Sequence, residues 1–394
     1  MQVKNGIWQS AIFLISISLV ISLLTWINYH FVIPISTLDE FKNAWEGTNS
    51  WLIQGQNPYS TIAGFNLPFT AIFFFLPLGL LDFALARAIW LTIIESSLFL
   101  LIIIGVDFSG WKVPIKSLPF VILTGLVWYY GIRAIFLTQF SVLVLLMIYG
   151  GLLLIQKKQD VLGGFLLALS ISQPETAILL LLFITIWALA AKRYQLLASM
   201  FSGMAFLVVL SIILLPGWPI QWLRSLFGPA GLSILYTSTL SKFAYQVPGI
   251  RLGLALILNL SVLVLLVIEW ATSIKAAQSM FVWLAMITMV VNSLTKIRAD
   301  AIDIIGLLPV IFYIIMVIQE KWKAIGDGMA IVIFVSLVIL PWLNNIILWR
   351  HGSKETLSFN LILPVLCLVV LVWIKGWAHR SQRLPLETLI ERLS

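Results

Sequence analysis

The chain has 394 residues, of which 61% are hydrophobic and 10% charged, and its mean hydropathy is +1.06. Because soluble proteins carry about 25% charged residues, this composition excludes a soluble globular protein and indicates an all-α polytopic membrane protein. The formal net charge of +8 comes from residues between apolar stretches, so it does not indicate a nucleic-acid partner. A single cysteine and three histidines exclude a disulfide and a metal cluster built from these residue types.

In chain order, the apolar stretches predict about twelve transmembrane helices in a single domain over residues 1–394. The first stretch has no small-residue cleavage site, so we interpret it as a retained helix rather than a signal peptide. The predicted extracytoplasmic loops are 30–83 and 216–250, and the predicted cytoplasmic tail is 375–394. The predicted spans are 7–29, 84–106, 119–134, 138–155, 161–173, 174–190, 195–215, 251–271, 278–295, 302–318, 329–345 and 358–374.

The basic residues orient these spans. The pairs Lys157-Lys158 and Lys192-Arg193 fall between predicted helices on one side, and positive charge is enriched in cytoplasmic loops. We therefore expect a plasma-membrane protein with both termini in the cytoplasm.

One apolar segment, Leu67 to Leu81, does not fit the pattern of full spans. It is shorter than a membrane crossing and is interrupted by Pro68 and Pro77. If it crossed the membrane, every later loop would change sides. We predict a surface-lying or re-entrant helix here, with a kinked short span as the alternative.

The loop 30–83 contains the candidate catalytic residues. Asp39 and Glu40 form an acidic pair just after the first helix, and an interface carboxylate that faces a cavity can act as a general base. A helix cap or a surface charge is the alternative. Trp51, Asn57 and Tyr59 follow as candidates for sugar or acceptor binding, although interface aromatics also serve as membrane anchors and Asn57 precedes a proline in a turn signal.

The candidate phosphate-binding residues are Arg133, Gln139, Lys296 and Arg298. Arg133 and Gln139 lie at the hairpin between the third and fourth predicted helices, and the two other cations lie between the ninth and tenth. Arginine and lysine at such depth suit a phosphate or pyrophosphate. Snorkelling to lipid headgroups is the alternative.

A break at Gln173-Pro174 predicts a polar cavity. The preceding helix is short, and polar backbone at membrane depth is tolerated around a protein-lined cavity. Gln173 joins the candidates for sugar or acceptor binding, whereas Glu175 is interpreted as a helix cap. Asp300 and Asp303 are expected to pair with the neighbouring cations or to cap the helix that follows.

The order of these features resembles the GT-C superfamily of integral-membrane glycosyltransferases. Within it, the chain is most similar to glycosyltransferase family 87, the polyprenyl-phosphate-mannose-dependent mannosyltransferase-like proteins. The resemblance is close over residues 30–195 and architectural beyond. It rests on Asp39 after the first helix, WLIQGQNPYS at 51–60, NLPFTAIFFFLPLGLL at 66–81, Trp90, Thr138-Gln139, Lys157-Lys158 and Gly163-Gly164.

The chain departs from the family pattern at three positions. Thr138 and Ser141 stand where the family has a glycine and an asparagine. Gln173 stands where the family commonly has a lysine before the proline. If that lysine normally holds the donor phosphate, this chain depends on its other cations or binds a different donor.

The resemblance implies an inverting transferase. A mannose-like hexose or a pentose would move from a polyprenyl-phosphate donor to a lipid or polysaccharide acceptor on the extracytoplasmic face. Asp39, with Glu40 as the alternate, would deprotonate the acceptor hydroxyl, and cations would stabilise the leaving phosphate. The implied partners are the donor, the acceptor and membrane lipids, and no cofactor or metal is expected.

A transporter is the alternative hypothesis to a glycosyltransferase. A secondary transporter or lipid flippase would also need broken helices and an outward-facing polar cavity. It predicts charges near the bilayer midplane and repeated halves, whereas this chain concentrates its charges on one predicted face.

Overall fold

The computed structural model describes residues 2–31, 40–62, 64–227, 237–274, 280–321, 326–350 and 357–379. The regular structure of these residues is helical, which confirms the predicted all-α class. The first nine helices are α1 (Gln2–Phe31), α2 (Glu40–Gln54), α3 (Pro58–Thr61), α4 (Phe69–Phe75), α5 (Phe83–Ser109), α6 (Leu118–Val127), α7 (Tyr129–Phe136), α8 (Ser141–Gln156) and α9 (Asp160–Leu169). The other nine are α10 (Pro174–Ala190), α11 (Tyr194–Leu214), α12 (Trp218–Phe227), α13 (Thr239–Ala244), α14 (Arg251–Ser273), α15 (Phe281–Thr295), α16 (Leu308–Lys321), α17 (Gly326–Arg350) and α18 (Leu357–His379).

Several helices are suited to a membrane. Five in the described residues are long and apolar enough to cross one, and they lie in α5, α11, α14, α16 and α17. A sixth candidate arises when α6 and α7 are counted as one bent span. Other apolar helices have 10–17 residues. A multi-pass membrane protein is therefore supported, while the total of about twelve spans stays a prediction.

The predicted helix over 119–134 is divided at Trp128 into two helices. The Trp128 backbone has the extended angles φ −55° and ψ 135°, and α6 and α7 meet at 57°. Aromatic side chains after the break attach α7 to the last two helices. The Tyr129 hydroxyl contacts Asn345 at 3.2 Å, and the Tyr130 hydroxyl contacts Asn360 at 2.9 Å.

The first loop folds against the start of α5. Phe41 on α2 is buried and stacks on Trp90, with ring centroids 5.7 Å apart. The segment 67–81 forms α4 and a short 3-10 turn, Leu78–Leu80, and neither is long enough to span. Phe69 and Phe75 are fully buried in protein, and this segment packs against α2. Its position relative to a membrane stays a prediction.

Ion pairs connect the helices at one end of the bundle. Lys157, after α8, lies 2.6 Å from Asp107 at the end of α5. Arg193, before α11, pairs with Asp160 at the start of α9. Because these contacts place the end of α8 and the start of α9 at one end, the start of α8 and the start of α10 lie at the other. That second end carries a polar cavity.

Candidate active site

A polar cavity of about 330 Å³ lies at this second end. Its walls come from the start of α2, from residues 65–67, from the turn before α8, from the start of α10 and from the segment after α15. Five predicted site residues meet here, which are Glu40, Gln139, Gln173, Lys296 and Arg298. The remaining lining residues are Asn43, Phe65, Asn66, Leu67, Glu175, Asp300 and Asp303.

Glu40 is held by the turn between α7 and α8. Its backbone N–H donates to the Leu137 carbonyl at 3.3 Å, and its carboxylate accepts from the Phe140 N–H at 3.1 Å. Burial raises the pKa of this carboxyl to about 7, against the opposing effect of the Phe140 hydrogen bond. Glu40 is therefore poised to exchange a proton near neutral pH.

Thr138 also holds the start of α2 against the turn between α7 and α8. Its hydroxyl oxygen accepts from the Phe41 N–H at 3.1 Å, and its carbonyl accepts from the Trp90 indole at 3.0 Å. Its φ is 53°, in the left-handed region that a β-branched residue rarely adopts. This conformation gives a physical reason for a glycine at such a position. Asp39, the predicted base, lies outside the described residues.

Lys296 is the buried cation of the cavity. Its side chain is 3% exposed, and its ammonium lies 2.6 Å from Asp303 and 3.2 Å from the Thr176 hydroxyl in the first turn of α10. Asn292 donates to the Thr176 carbonyl at 2.9 Å and so fixes the same turn. The prediction that Asp303 pairs with a neighbouring cation is confirmed.

Arg298 supplies a second, accessible cation. Its φ is 59°, and its backbone N–H donates to the Thr237 hydroxyl at 2.9 Å. Its exposed side chain lines the cavity and forms no ion pair with the described residues. Asp300 and Asp303 form a reciprocal capping box at the 3-10 helix Ala301–Leu307, as the sequence predicted.

A second, mostly apolar groove of about 310 Å³ joins the polar cavity. It runs between α10, α13, α14 and α15, with Leu252, Leu256 and Leu263 on its α14 wall. Glu175 and Lys296 line both the groove and the polar cavity, so they stand at the junction. A ligand with a polar head and a long apolar tail fits this arrangement.

A ring of hydrogen bonds closes the wall of the groove. Asn259 donates to the Ser241 hydroxyl at 3.0 Å, and the Ser238 hydroxyl lies 3.1 Å from the Asn259 carbonyl oxygen and 2.8 Å from Ser241. Each member satisfies another, so the ring fixes α13 to α14.

Four predicted site residues do not line the polar cavity. The Arg133 guanidinium contacts the Tyr129 hydroxyl at 3.2 Å on α7. Asn57 caps α3 and donates to Gln221 at 2.9 Å. The Tyr59 hydroxyl donates to the Leu67 carbonyl at 2.7 Å, and Trp51 packs edge-on against Phe69.

Sequence reasoning gave Glu175 only a capping role. The signal for a further role was its place just after the break at Gln173-Pro174, where the helix start faces the cavity. Within the described residues, no group of three or more His, Cys, Asp and Glu side chains could hold a metal ion. The expectation that no metal is needed stays a prediction.

A comparison with protein families now bears on this geometry. The model described as "Glycosyltransferase family 87" matches residues 65–297. This range covers the groove, Lys296 and the start of α10, and it begins after α2. No curated protein and no solved structure matches the chain.

Proposed function

The chain belongs to glycosyltransferase family 87, and on that premise we propose that it transfers a sugar from a polyprenyl-phosphate donor to a lipid or glycan acceptor. One observation carries the proposal, namely the junction of a polar cavity with an apolar groove at Lys296. A polyprenyl phosphate has the matching shape, since its charged head is joined to a long hydrocarbon tail.

The phosphate is assigned to the junction. The tail occupies the groove along α14, and the phosphate then lies within reach of Lys296, with Arg298 at the cavity wall. An ammonium in a low-dielectric site stabilises the negative charge that develops on the leaving phosphate. Asp303 orients the Lys296 ammonium through an ion pair at 2.6 Å.

The general base is assigned to Glu40. Glu40 lines the polar cavity and not the groove, so the acceptor and the leaving phosphate stand on different sides of the sugar. The sequence ranks Asp39 ahead of Glu40, and that ranking stays a prediction. The position of Glu40 in the polar cavity supports its assignment as the base.

The reaction is a single displacement. Glu40 takes the proton of an acceptor hydroxyl, and the oxygen forms a bond to the anomeric carbon of the sugar. The bond between that carbon and the phosphate oxygen breaks, and the electron pair leaves with the polyprenyl phosphate. Inversion follows from attack opposite the leaving group, which the arrangement of Glu40 and Lys296 favours.

The test is transfer by the purified protein. Radiolabelled polyprenyl-phosphate mannose, glucose or arabinose is incubated with the protein in lipid vesicles together with a membrane-lipid extract. We expect label in a new, larger glycolipid and release of unlabelled polyprenyl phosphate. Movement of the labelled donor across the vesicle membrane without transfer would instead support the flippase alternative.

A further inference from the structure

Gln173 has a buried side-chain oxygen without a hydrogen-bond partner. The residue is only 7% exposed, and within the described part of the chain its amide oxygen Oε1 accepts nothing. A buried carbonyl oxygen that is left unpaired costs about 1–3 kcal/mol, so native proteins rarely retain one without a reason. Gln173 also lines the polar cavity.

The turn that holds Gln173 also carries a carboxylate. Glu175 lies two residues further on, lines the same cavity, and forms no hydrogen bond or ion pair with the described residues. Lys296, the cation that contacts this turn, donates to Asp303 and to Thr176 rather than to Gln173. A ligand group that fits beside Gln173 must therefore donate hydrogen bonds.

We propose that Gln173 determines the sugar specificity of the transfer, and that its amide oxygen accepts a hydrogen bond from a hydroxyl of the transferred sugar. The inference rests on the proposed function and deepens it. The site takes an uncharged sugar that presents a free hydroxyl near the anomeric end, because Gln173 stands beside the junction where the phosphate is held.

A phosphate oxygen does not suit this position. A phosphodiester carries acceptor oxygens, and two acceptors without a proton between them repel each other. A sugar hydroxyl supplies the missing proton, and a site built to pair with a hydroxyl strongly rejects the analogue that lacks it. Position 173 and Lys296 therefore contact different parts of the donor.

The experiment compares deoxy donors. Short-chain polyprenyl-phosphate mannose and its analogues lacking one hydroxyl at C2, C3, C4 or C6 are given to the wild-type protein and to Gln173→Met, with glucose and arabinose series if mannose is not transferred. For the wild type we expect one analogue to lose about tenfold or more in kcat/KM. In Gln173→Met the kcat/KM for that analogue should equal the lowered kcat/KM for the full donor. For the other analogues, the loss in kcat/KM relative to the full donor should be the same as in the wild type.

Two further variants complete the test. Gln156→Met, an exposed glutamine at the end of α8, is the matched control and should behave as the wild type. If Gln173→Met does not fold, Gln173→Asn replaces it in the test. The asparagine side chain is one methylene shorter, so its amide should not reach the sugar hydroxyl and the same discrimination should be lost. If every deoxy analogue lowers kcat/KM by the same factor in the wild type and in a folded variant, the inference is overturned and the proposed function still stands. Absence of any transfer by the wild type would overturn the proposed function, and this inference with it.

Discussion

The carboxylate of Glu40 accepts a hydrogen bond from the backbone N–H of Phe140 at 3.1 Å, which joins the first loop to the start of α8. The neighbouring Phe41 N–H donates to Thr138 and repeats the connection one residue later. A glutamine side chain can accept the same bond from Phe140 without acting as a base. Glu40→Gln therefore separates the role of this residue in catalysis from its role in the fold.

We expect Glu40→Gln to reduce kcat by about 10²–10⁴-fold, the usual contribution of a general base. Asp39→Asn is measured beside it, because the sequence alone ranks Asp39 ahead of Glu40. The measurement is initial-rate transfer from labelled donor, with Glu46→Gln, a partly exposed residue of α2 outside the cavity lining, as the matched control. Loss of activity in Asp39→Asn with full activity in Glu40→Gln would return the base to Asp39.

The pH dependence of the wild type follows from the same carboxyl. Burial raises the pKa of Glu40 to about 7, and only the deprotonated form can accept the acceptor proton. The kcat/KM of the free enzyme should therefore rise with pH, reach half its maximum near pH 7 and level off above about pH 8. The residual rate of Glu40→Gln should show no such step. A wild-type profile that is flat between about pH 6 and 8 would rule out this titration as the controlling one.

Stability should respond to pH in the opposite direction. The pKa of Glu40 is raised from 4.5 to about 7 in the folded protein, so the folded state holds the proton over this interval and the unfolded state does not. The free energy of unfolding of the wild type then falls as pH rises from about 4.5 to 7. Glu40→Gln lacks this loss, so its melting temperature relative to the wild type should increase between about pH 5 and 8. Thermal unfolding in detergent at both pH values measures the difference, and a constant difference would contradict it.

The long apolar helices and one wall of the site could be predicted from the sequence, because both depend on local patterns, whereas the helices α12 and α13 lie in a segment predicted as a loop. The apolar stretch that forms α14 predicts a helix, and the proline after Gln173 predicts the break before α10. The pairing of Lys296 with Thr176 is not, because these residues are distant in sequence and meet only through the packing of α10 on α15. The break at Trp128 was missed because an apolar aromatic residue gives no local signal for a bend.

The buried ion pair gives a prediction for Lys296. Lys296→Gln leaves the Asp303 carboxylate buried without its cation, which should cost about 3–5 kcal/mol of stability. In Lys296→Gln/Asp303→Asn a neutral pair replaces the ionic one, so the melting temperature should recover. Transfer should stay at least about tenfold below the wild type in the double variant, because the phosphate still lacks its ammonium.

The control for this experiment lies at the other end of the bundle. Lys157→Gln/Asp107→Asn neutralises the exposed pair between α8 and α5 and should change neither stability nor transfer measurably. Recovery of full transfer in the Lys296/Asp303 double variant would show that the cation serves only the fold.

The groove gives the last prediction, since a tail that binds there should be sensitive to its width. Ala255 lies on the groove wall of α14 and is buried, so Ala255→Phe fills space that the tail would occupy. Displacing two methylenes from an apolar contact costs about 1.6 kcal/mol, which corresponds to a rise of about 15-fold in KM for a long-chain donor. A donor with one isoprene unit has fewer apolar contacts in the groove to lose, so its KM should rise much less. Val264→Phe places the same phenyl group at an exposed position of the same helix outside the groove and serves as the control. Equal effects of Ala255→Phe on long and short donors would show that the tail lies elsewhere.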